Sequence, residues 1–175
     1  MRPSKDFLKK PVITIDEGRY LGEVKDLYLD EALNWLAGIN LGSAGLLRRK
    51  ALIVSREDVV VFGIDAVLVK HREVVKNEDE VEETEKWLPL SELQGRAVDT
   101  PGGTKVGQIG DVILDQEARV SRFRLSKVFV AGTIAEDPTI PRGAMLDTGG
   151  VDGVMTIDLP KAEQPEAVSA SKTET

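Results

Sequence analysis

The first apolar positions of the chain fall into two short β-type runs joined by a tight turn. Pro11 to Ile15 form the first run and Leu21 to Asp30 the second, with Asp16 to Arg19 between them. Gly18 can take the positive φ that a tight hairpin needs. Apolar and polar side chains do not alternate cleanly along the second run. It therefore predicts a bent strand with a bulge, as the closure of a small barrel requires.

Later apolar runs predict three more strands, at Trp35 to Leu41, Arg49 to Ser55 and Ala66 to Lys70. Gly42 to Gly45 predict a flexible turn. Ser55 is followed by acidic residues, which predicts a single capped helical turn over residues 55–59.

The same pattern recurs about 85 residues later along the chain. Strand-interior glycines weaken a strand unless the backbone bends or packs closely there, so their recurrence indicates a structural role. The recurrence predicts two copies of one small domain. The positions predicted to be structural are Gly18, Gly22, Asp26, Asp30 and Gly63 in the first copy, and Gly103, Gly107, Asp111, Asp115 and Gly150 in the second.

The second copy departs from the first at one long connection. Residues Ala131 to Gly143 contain two prolines, and we expect them to form a shaped loop without regular structure. Loops of this length are uncommon and are usually functional or disordered. Just before it, Val120 to Leu125 predict a strand with Phe123 and Leu125 facing the core and the arginines between them facing out.

An acidic stretch separates the copies. It carries six acidic residues and one apolar residue, Val81, which predicts a solvated linker or a short exposed helix. A docking strip for a basic partner is the functional alternative. The predicted domains are a first barrel at 1–76, an acidic linker at 77–86, a second barrel at 87–160 and a disordered tail at 161–175. Each copy alone would be marginally stable, so pairing of the copies or a partner is expected to matter.

The amino-acid composition narrows the classes of function that the chain can have. Aromatic residues make up only 5% of the 175 residues, so aliphatic side chains must build the core. The absence of cysteine excludes disulfides, thiolate zinc sites and cysteine nucleophiles. The net charge of -7 argues against general affinity for phosphate backbones. No apolar stretch has the length of a signal peptide or a spanning helix. A cytoplasmic location is expected, and docking on a membrane protein stays open.

Candidate chemistry is sparse. His71 is the only histidine and lies between two basic residues, which predicts a solvated side chain. Residues Pro101 to Lys105 resemble a phosphate-binding loop only faintly, because the Walker spacing is absent. The acidic residues lack calcium-loop spacing. We therefore expect no enzymatic activity, no catalytic residue, no cofactor and no metal.

A protein partner is the remaining expectation. Trp87 is predicted to anchor a core or domain interface, with a partner contact as the alternative. RNA is disfavoured because no aromatic residues are interleaved with the basic ones for base stacking. The candidate contact residues are Trp87, Arg122, Arg124, Ile134, Pro138 and Ile140.

The run Lys10 to Asp30, closed by Gly63 to Val69, resembles the PRC-barrel domain. This small β-barrel occurs in the cytoplasmic portion of the photosynthetic reaction centre H subunit and in the C-terminal half of the ribosome maturation factor RimM. Residues Gly95 to Asp115 and Gly150 to Ile157 resemble it again. The resemblance implies a non-enzymatic module that docks on other proteins during assembly or regulation of larger complexes, with no shared catalytic residues.

The resulting expectation is a mostly all-β fold of two tandem PRC-type barrels, with short helical turns, an acidic linker and a disordered C-terminal tail. The expected function is that of an adaptor, or an assembly or regulatory module, docking on a protein partner. Two alternatives stay open. One is a ribosome or RNA-processing assembly factor related to RimM, and the other is small-ligand sensing in a cleft between the barrels.

Overall fold

A computed structural model describes residues 1–43, 50–150 and 153–164. Short strands and single helical turns make up these ranges, which confirms the prediction of a mostly β fold. None of the helices in these ranges has the length and apolar character needed to cross a bilayer.

The first half of the chain contains nine strands within its described residues, 1–43 and 50–86. Its 3-10 helices are Ser4–Phe7, Arg56–Asp58, Arg72–Val74, Glu78–Glu80 and Glu82–Lys86. Its strands are β1 (Arg2–Pro3), β2 (Pro11–Thr14), β3 (Tyr20–Glu23), β4 (Asp26–Leu29), β5 (Leu36–Ser43), β6 (Ala51–Ser55), β7 (Val59–Phe62), β8 (Val67–Val69) and β9 (Lys76–Asn77).

The second half contains seven strands within residues 87–150 and 153–164. Its helices are α1 (Leu90–Leu93), α2 (Thr133–Glu136), the 3-10 helix Arg142–Ala144 and α3 (Leu159–Ala162). Its strands are β10 (Leu88–Pro89), β11 (Ala97–Asp99), β12 (Lys105–Leu114), β13 (Val120–Val128), β14 (Thr139–Pro141), β15 (Met145–Asp147) and β16 (Met155–Ile157).

Strand pairing follows a similar order in the two halves, although β9 has no counterpart in the second half. In the first half the sheets run β3-β2-β8-β7 and β10-β4-β5-β6-β9, and in the second half one sheet runs β14-β13-β12-β11-β16-β15. The parallel pair β2–β8 has its counterpart in the parallel pair β11–β16. The bent strand predicted over residues 21–30 divides into β3 and β4, whereas β12 covers both positions as one irregular strand.

The two halves exchange strands. Strand β1 pairs with β12, with Arg2 opposite Leu114, and β10 pairs with β4, with Leu88 opposite Leu29. The helix that follows each exchanged strand also contacts the other half. The Ser4 hydroxyl donates to the Asp111 carboxylate and the Ser91 hydroxyl donates to the Asp26 carboxylate, each at 2.5 Å.

A third reciprocal contact lies where the β4–β5 and β12–β13 turns meet. An isolated antiparallel bridge joins Trp35 to Arg119. The Leu36 N–H donates to the Ala118 carbonyl at 2.9 Å, and the Val120 N–H donates to the Asn34 carbonyl at 2.8 Å. Such paired contacts are those that an approximate two-fold axis between the halves would generate.

One continuous apolar cluster fills the molecule and draws on both halves. Valine, leucine and isoleucine dominate it, as the low aromatic content predicted, and Phe123 is its largest fully buried side chain. Phe123 and Leu125 are buried on β13, as predicted, and the helical turn predicted after Ser55 is the 3-10 helix Arg56–Asp58.

Two predictions of irregular structure are corrected, at residues 131–143 and at the start of the tail. The expected loop 131–143 contains α2 and β14, because Ile134 and Ile140 enter the core and β14 pairs with β13. Residues 77–86, expected to be a solvated linker or a short exposed helix, begin with Asn77 paired to Leu52 and continue as two mostly exposed 3-10 helices. Helix α3 crosses the expected start of the tail, because Ala162 is buried. Residues 44–45 of the predicted turn and 165–175 of the predicted tail lie outside the described residues.

Candidate interaction surfaces

Two of the residues predicted to contact a partner are core residues. The side chains of Ile134 and Ile140 are 1% and 0% exposed, so neither is available to another molecule. Their assignment from the sequence was wrong because the segment was taken for a surface loop. Pro138 between them is half-buried, and its carbonyl accepts a hydrogen bond from the Leu125 N–H at 2.8 Å.

The two predicted contact arginines lie on β13 with their side chains on the outward face. Arg122 pairs in register with Pro141 and Arg124 with Thr139, and both arginines are half-buried. The Arg122 Nε donates to the Thr139 hydroxyl at 3.0 Å, which holds that side chain along the sheet. Their role in binding stays a prediction.

Trp87 has an anchoring position and is half-buried. A Cβ placed on Gly38 would lie 2.6 Å from the Trp87 ring, so the indole packs directly against the backbone of β5. The Trp87 and Tyr28 ring centroids are 5.7 Å apart, with the rings tilted by 45°. Trp87 thus fixes the end of the acidic 3-10 helices to the first half.

Four of the recurrent glycines and aspartates lie in turns of the two halves. Gly18 and Gly103 have φ values of +64° and +85° in the two hairpin turns. The Asp30 carboxylate accepts the N–H groups of Asn34 and Trp35 at 2.7 and 2.6 Å. Asp115 plays the same part in the corresponding turn of the second half. These turns present Trp35 and Arg119 to each other.

The other residues considered for chemistry do not converge on a site. His71 is half-exposed, with its Nδ1 3.1 Å from the Glu73 carboxylate. Residues 101–102 form an exposed hairpin turn. Across residues 1–43, 50–150 and 153–164, no group of three histidines or acidic residues is placed to hold a metal ion.

An apolar cleft of about 550 Å³ opens between the halves. Strand β7 forms one wall and the β12–β13 turn, residues 114–118, forms the other. Four large apolar side chains are exposed here: Met1 by 71%, Val60 by 47%, Val61 by 45% and Ile64 by 79%. Strand β7 was not predicted, although four consecutive strand-favouring residues, Val59–Phe62, are a signal for it.

A second concavity, which we call the acidic groove, holds about 410 Å³ beside Trp87. Its floor includes Tyr28 and Trp87, and its walls carry Glu31, Glu78, Glu85 and Glu92 with one cation, Lys86. Burial raises the pKa of the Tyr28 phenol, and the negative charges of Glu78, Asp26 and Glu92 raise this pKa further. The groove is therefore a region of negative potential.

A third, shallower groove of about 420 Å³ lies on the other side of Trp87, between it and Trp35. The guanidinium groups of Arg56 and Arg119 lie 5.4 and 4.6 Å from the centroid of the Trp35 ring. The Arg56 Nε is buried and has no hydrogen-bond partner among the described atoms.

Comparison with known proteins bears on the first half. No curated protein matches the chain. Residues 1–80 match the family model of the PRC-barrel domain, which covers the strands from β1 to β9. The resemblance seen in Lys10 to Asp30 and Gly63 to Val69 is thereby confirmed for residues 1–80, which match a PRC-barrel domain.

Proposed function

We propose that the protein is a non-catalytic adaptor in which two tandem PRC-type barrels dock as one body on a protein partner. The strands from β2 to β8 and the strands from β11 to β16 pair in a corresponding order, which supports a second barrel at residues 87–160. The reciprocal exchange of β1 and β10 supports a fixed arrangement of the two barrels.

The observation that carries the adaptor function is the apolar cleft. Ten large apolar residues are exposed in the described part of the chain, and four of them, Met1, Val60, Val61 and Ile64, line this one cleft. Clustered exposed apolar side chains mark interaction surfaces, whereas isolated ones are ordinary. Strand β7 is also an edge strand of its sheet, a position that favours contact with another chain.

Capture of partners from the source cell tests the proposal. We expect the full chain to recover a reproducible protein partner and Val60→Lys with Val61→Lys to lose it. Leu146→Lys is the matched control, because Leu146 is 59% exposed on β15, the corresponding edge strand of the second half. Circular dichroism checks that each variant is folded. Failure to recover any partner, or equal loss with the control, contradicts the proposal.

Ligand sensing in the same cleft is a second candidate function. Its volume lies within the range of about 300–1,000 Å³ typical of ligand sites, and both halves contribute to its walls. The Arg56 side chain lines it with an unpartnered buried Nε, which suits a ligand with an acceptor group on an apolar body. A thermal-shift titration with octanoate tests this. A shift that Arg56→Gln abolishes supports ligand sensing, and no shift argues against it.

A further inference from the structure

We infer that the acidic groove binds an arginine-bearing segment of the protein partner. The inference rests on the proposed adaptor function and adds the chemistry of the partner. It concerns a different surface from the apolar cleft, so the two can be tested separately.

The charged side chains that line the acidic groove are mostly negative. Glu31, Glu78, Glu85 and Glu92 face one cation, Lys86. Within the described part of the chain, none of these four carboxylates lies within ion-pair distance of a lysine or arginine side chain. Carboxylates gathered without counter-charges repel one another, and a cationic partner would relieve that repulsion.

The floor of the groove is aromatic. Trp87 is half-buried, and the buried Tyr28 packs beside it with its hydroxyl accepting from the Asn40 amide at 2.9 Å. Aromatic rings below carboxylate walls suit a planar cation that stacks on the ring and donates to the carboxylates.

This combination favours arginine over lysine. The guanidinium group stacks on aromatic faces and donates bidentately to carboxylates, whereas the lysine ammonium is a compact, strongly hydrated charge. The molecule already uses such packing, since Arg56 and Arg119 both lie over Trp35. Arginine is also enriched at protein interfaces and lysine is depleted there.

The surroundings favour an extended segment over a single side chain. The acidic 3-10 helices continue the negative surface away from the groove, with exposed carboxylates at Glu80, Glu82 and Glu83. Basic residues flanking the docked arginine would meet these carboxylates. The geometry thus fits a short basic stretch of a partner chain.

A fluorescence titration of the full chain tests the inference. Trp35→Phe leaves Trp87 as the only tryptophan, so the signal comes from the groove. The probe is a short glycine–serine peptide containing three arginines, and matched peptides carry three lysines or three glutamates. We expect the arginine peptide to change Trp87 fluorescence saturably, the lysine peptide to bind roughly tenfold more weakly, and the glutamate peptide not to bind.

Two triple variants with equal charge separate the groove from the overall charge. Glu78→Gln, Glu85→Gln and Glu92→Gln should weaken arginine-peptide binding by roughly tenfold or more. Glu17→Gln, Glu73→Gln and Glu136→Gln remove the same charge at exposed sites elsewhere and should leave it nearly unchanged. Equal weakening by both triples, or equal binding of the lysine and arginine peptides, would overturn the inference.

Partner capture distinguishes a failure of the groove inference from a failure of the proposed adaptor function. If the cleft variants lose the partner but the groove triple keeps it, the adaptor function stands and the groove inference is wrong. If no partner is captured by any form of the chain, the adaptor function is wrong as well.

Discussion

Gly38 shows how one residue connects the sheet to the candidate site. It lies on β5 beneath the Trp87 ring, where an added Cβ would also come within 3.0 Å of the Val54 carbonyl oxygen. The missing side chain lets the indole lie against the strand. Trp87 then holds the acidic 3-10 helices in place beside Tyr28.

We expect Gly38→Ala to destabilise the fold by about 1–3 kcal/mol, the usual cost of overpacking. The added methyl group must displace the indole, so the tryptophan emission should shift as well. Gly143→Ala is the control, because no atom lies within 4 Å of a Cβ placed there. Urea denaturation with emission spectra measures both effects, and an unchanged midpoint for Gly38→Ala would contradict the proposed packing.

Tyr28 reports the potential in the acidic groove. Burial comes first among the causes that raise its pKa, followed by the charge of Glu78. Because folding raises the pKa, the stabilising contribution of the protonated phenol is complete below pH about 10 and is lost as pH rises through the folded value.

A Tyr20→Phe variant leaves Tyr28 as the only phenol, so its absorbance change on ionisation can be followed alone. We expect the midpoint to lie above the ordinary value of about 10. Replacing Glu78 and Glu92 by glutamine should lower this pKa, because both charges raise it. A midpoint at or below the ordinary value would show that the groove lacks the negative potential described.

At the scale of elements, the exchanged strands are held by two unequal Ser–Asp pairs. Asp111 is 3% exposed and accepts from the Ser4 hydroxyl, while its Oδ2 has no partner among the described atoms. Asp26 is half-buried, and its bond from Ser91 is exposed. Hydrogen bonds to buried charged groups are worth more than exposed ones.

Ser4→Ala should therefore cost about 1.5–3 kcal/mol of unfolding free energy, since the buried Asp111 carboxylate loses a donor. The corresponding change Ser91→Ala should cost less than about 1 kcal/mol, because water can replace the hydroxyl at Asp26. Urea denaturation of the two variants measures the difference. Equal costs would mean that burial of Asp111 does not govern the strength of the contact.

Most of the fold could be predicted from the sequence repeat and from the alternation of apolar residues along the chain. They located β2, β5, β6 and β8, the bend after Gly22, and the hairpin glycines. They failed where local composition and tertiary burial disagree. Pro138 and the polar residues around it indicated a loop, but Ile134 and Ile140 enter the core and allow β14 to pair.

The candidate surfaces were harder to predict, because their residues meet only through the tertiary structure. Trp87 and the acidic stretch were recognised from the sequence, whereas Tyr28 and Glu31 reach the acidic groove from β4 and the turn after it. The apolar cleft combines Met1 with β7 and with the β12–β13 turn. No local pattern joins segments so far apart in the chain.

At the scale of the whole molecule, the two halves are joined by backbone pairing and by side-chain packing. Exchanged strands, the Trp35–Arg119 bridge and one continuous apolar cluster connect them. The Arg142 side chain adds to these by donating to the Leu33 and Ala32 carbonyls at 2.9 and 2.6 Å. Neither half keeps its sheet complete without the other.

We therefore expect the chain to unfold in one cooperative step. Trp87 packs on Gly38 and reports on the first half, whereas Trp35 also contacts Arg119 of the second half, so the tryptophan signal is followed in a Trp35→Phe background. Ile140→Val in the second half should cost about 0.5–1.5 kcal/mol and shift the tryptophan transition by as much as the circular dichroism transition. Ile39→Val, at an equally buried site in the first half, is the matched variant. If Ile140→Val leaves the tryptophan transition in place while circular dichroism shows two steps, the halves fold independently and the strand exchange does not couple them.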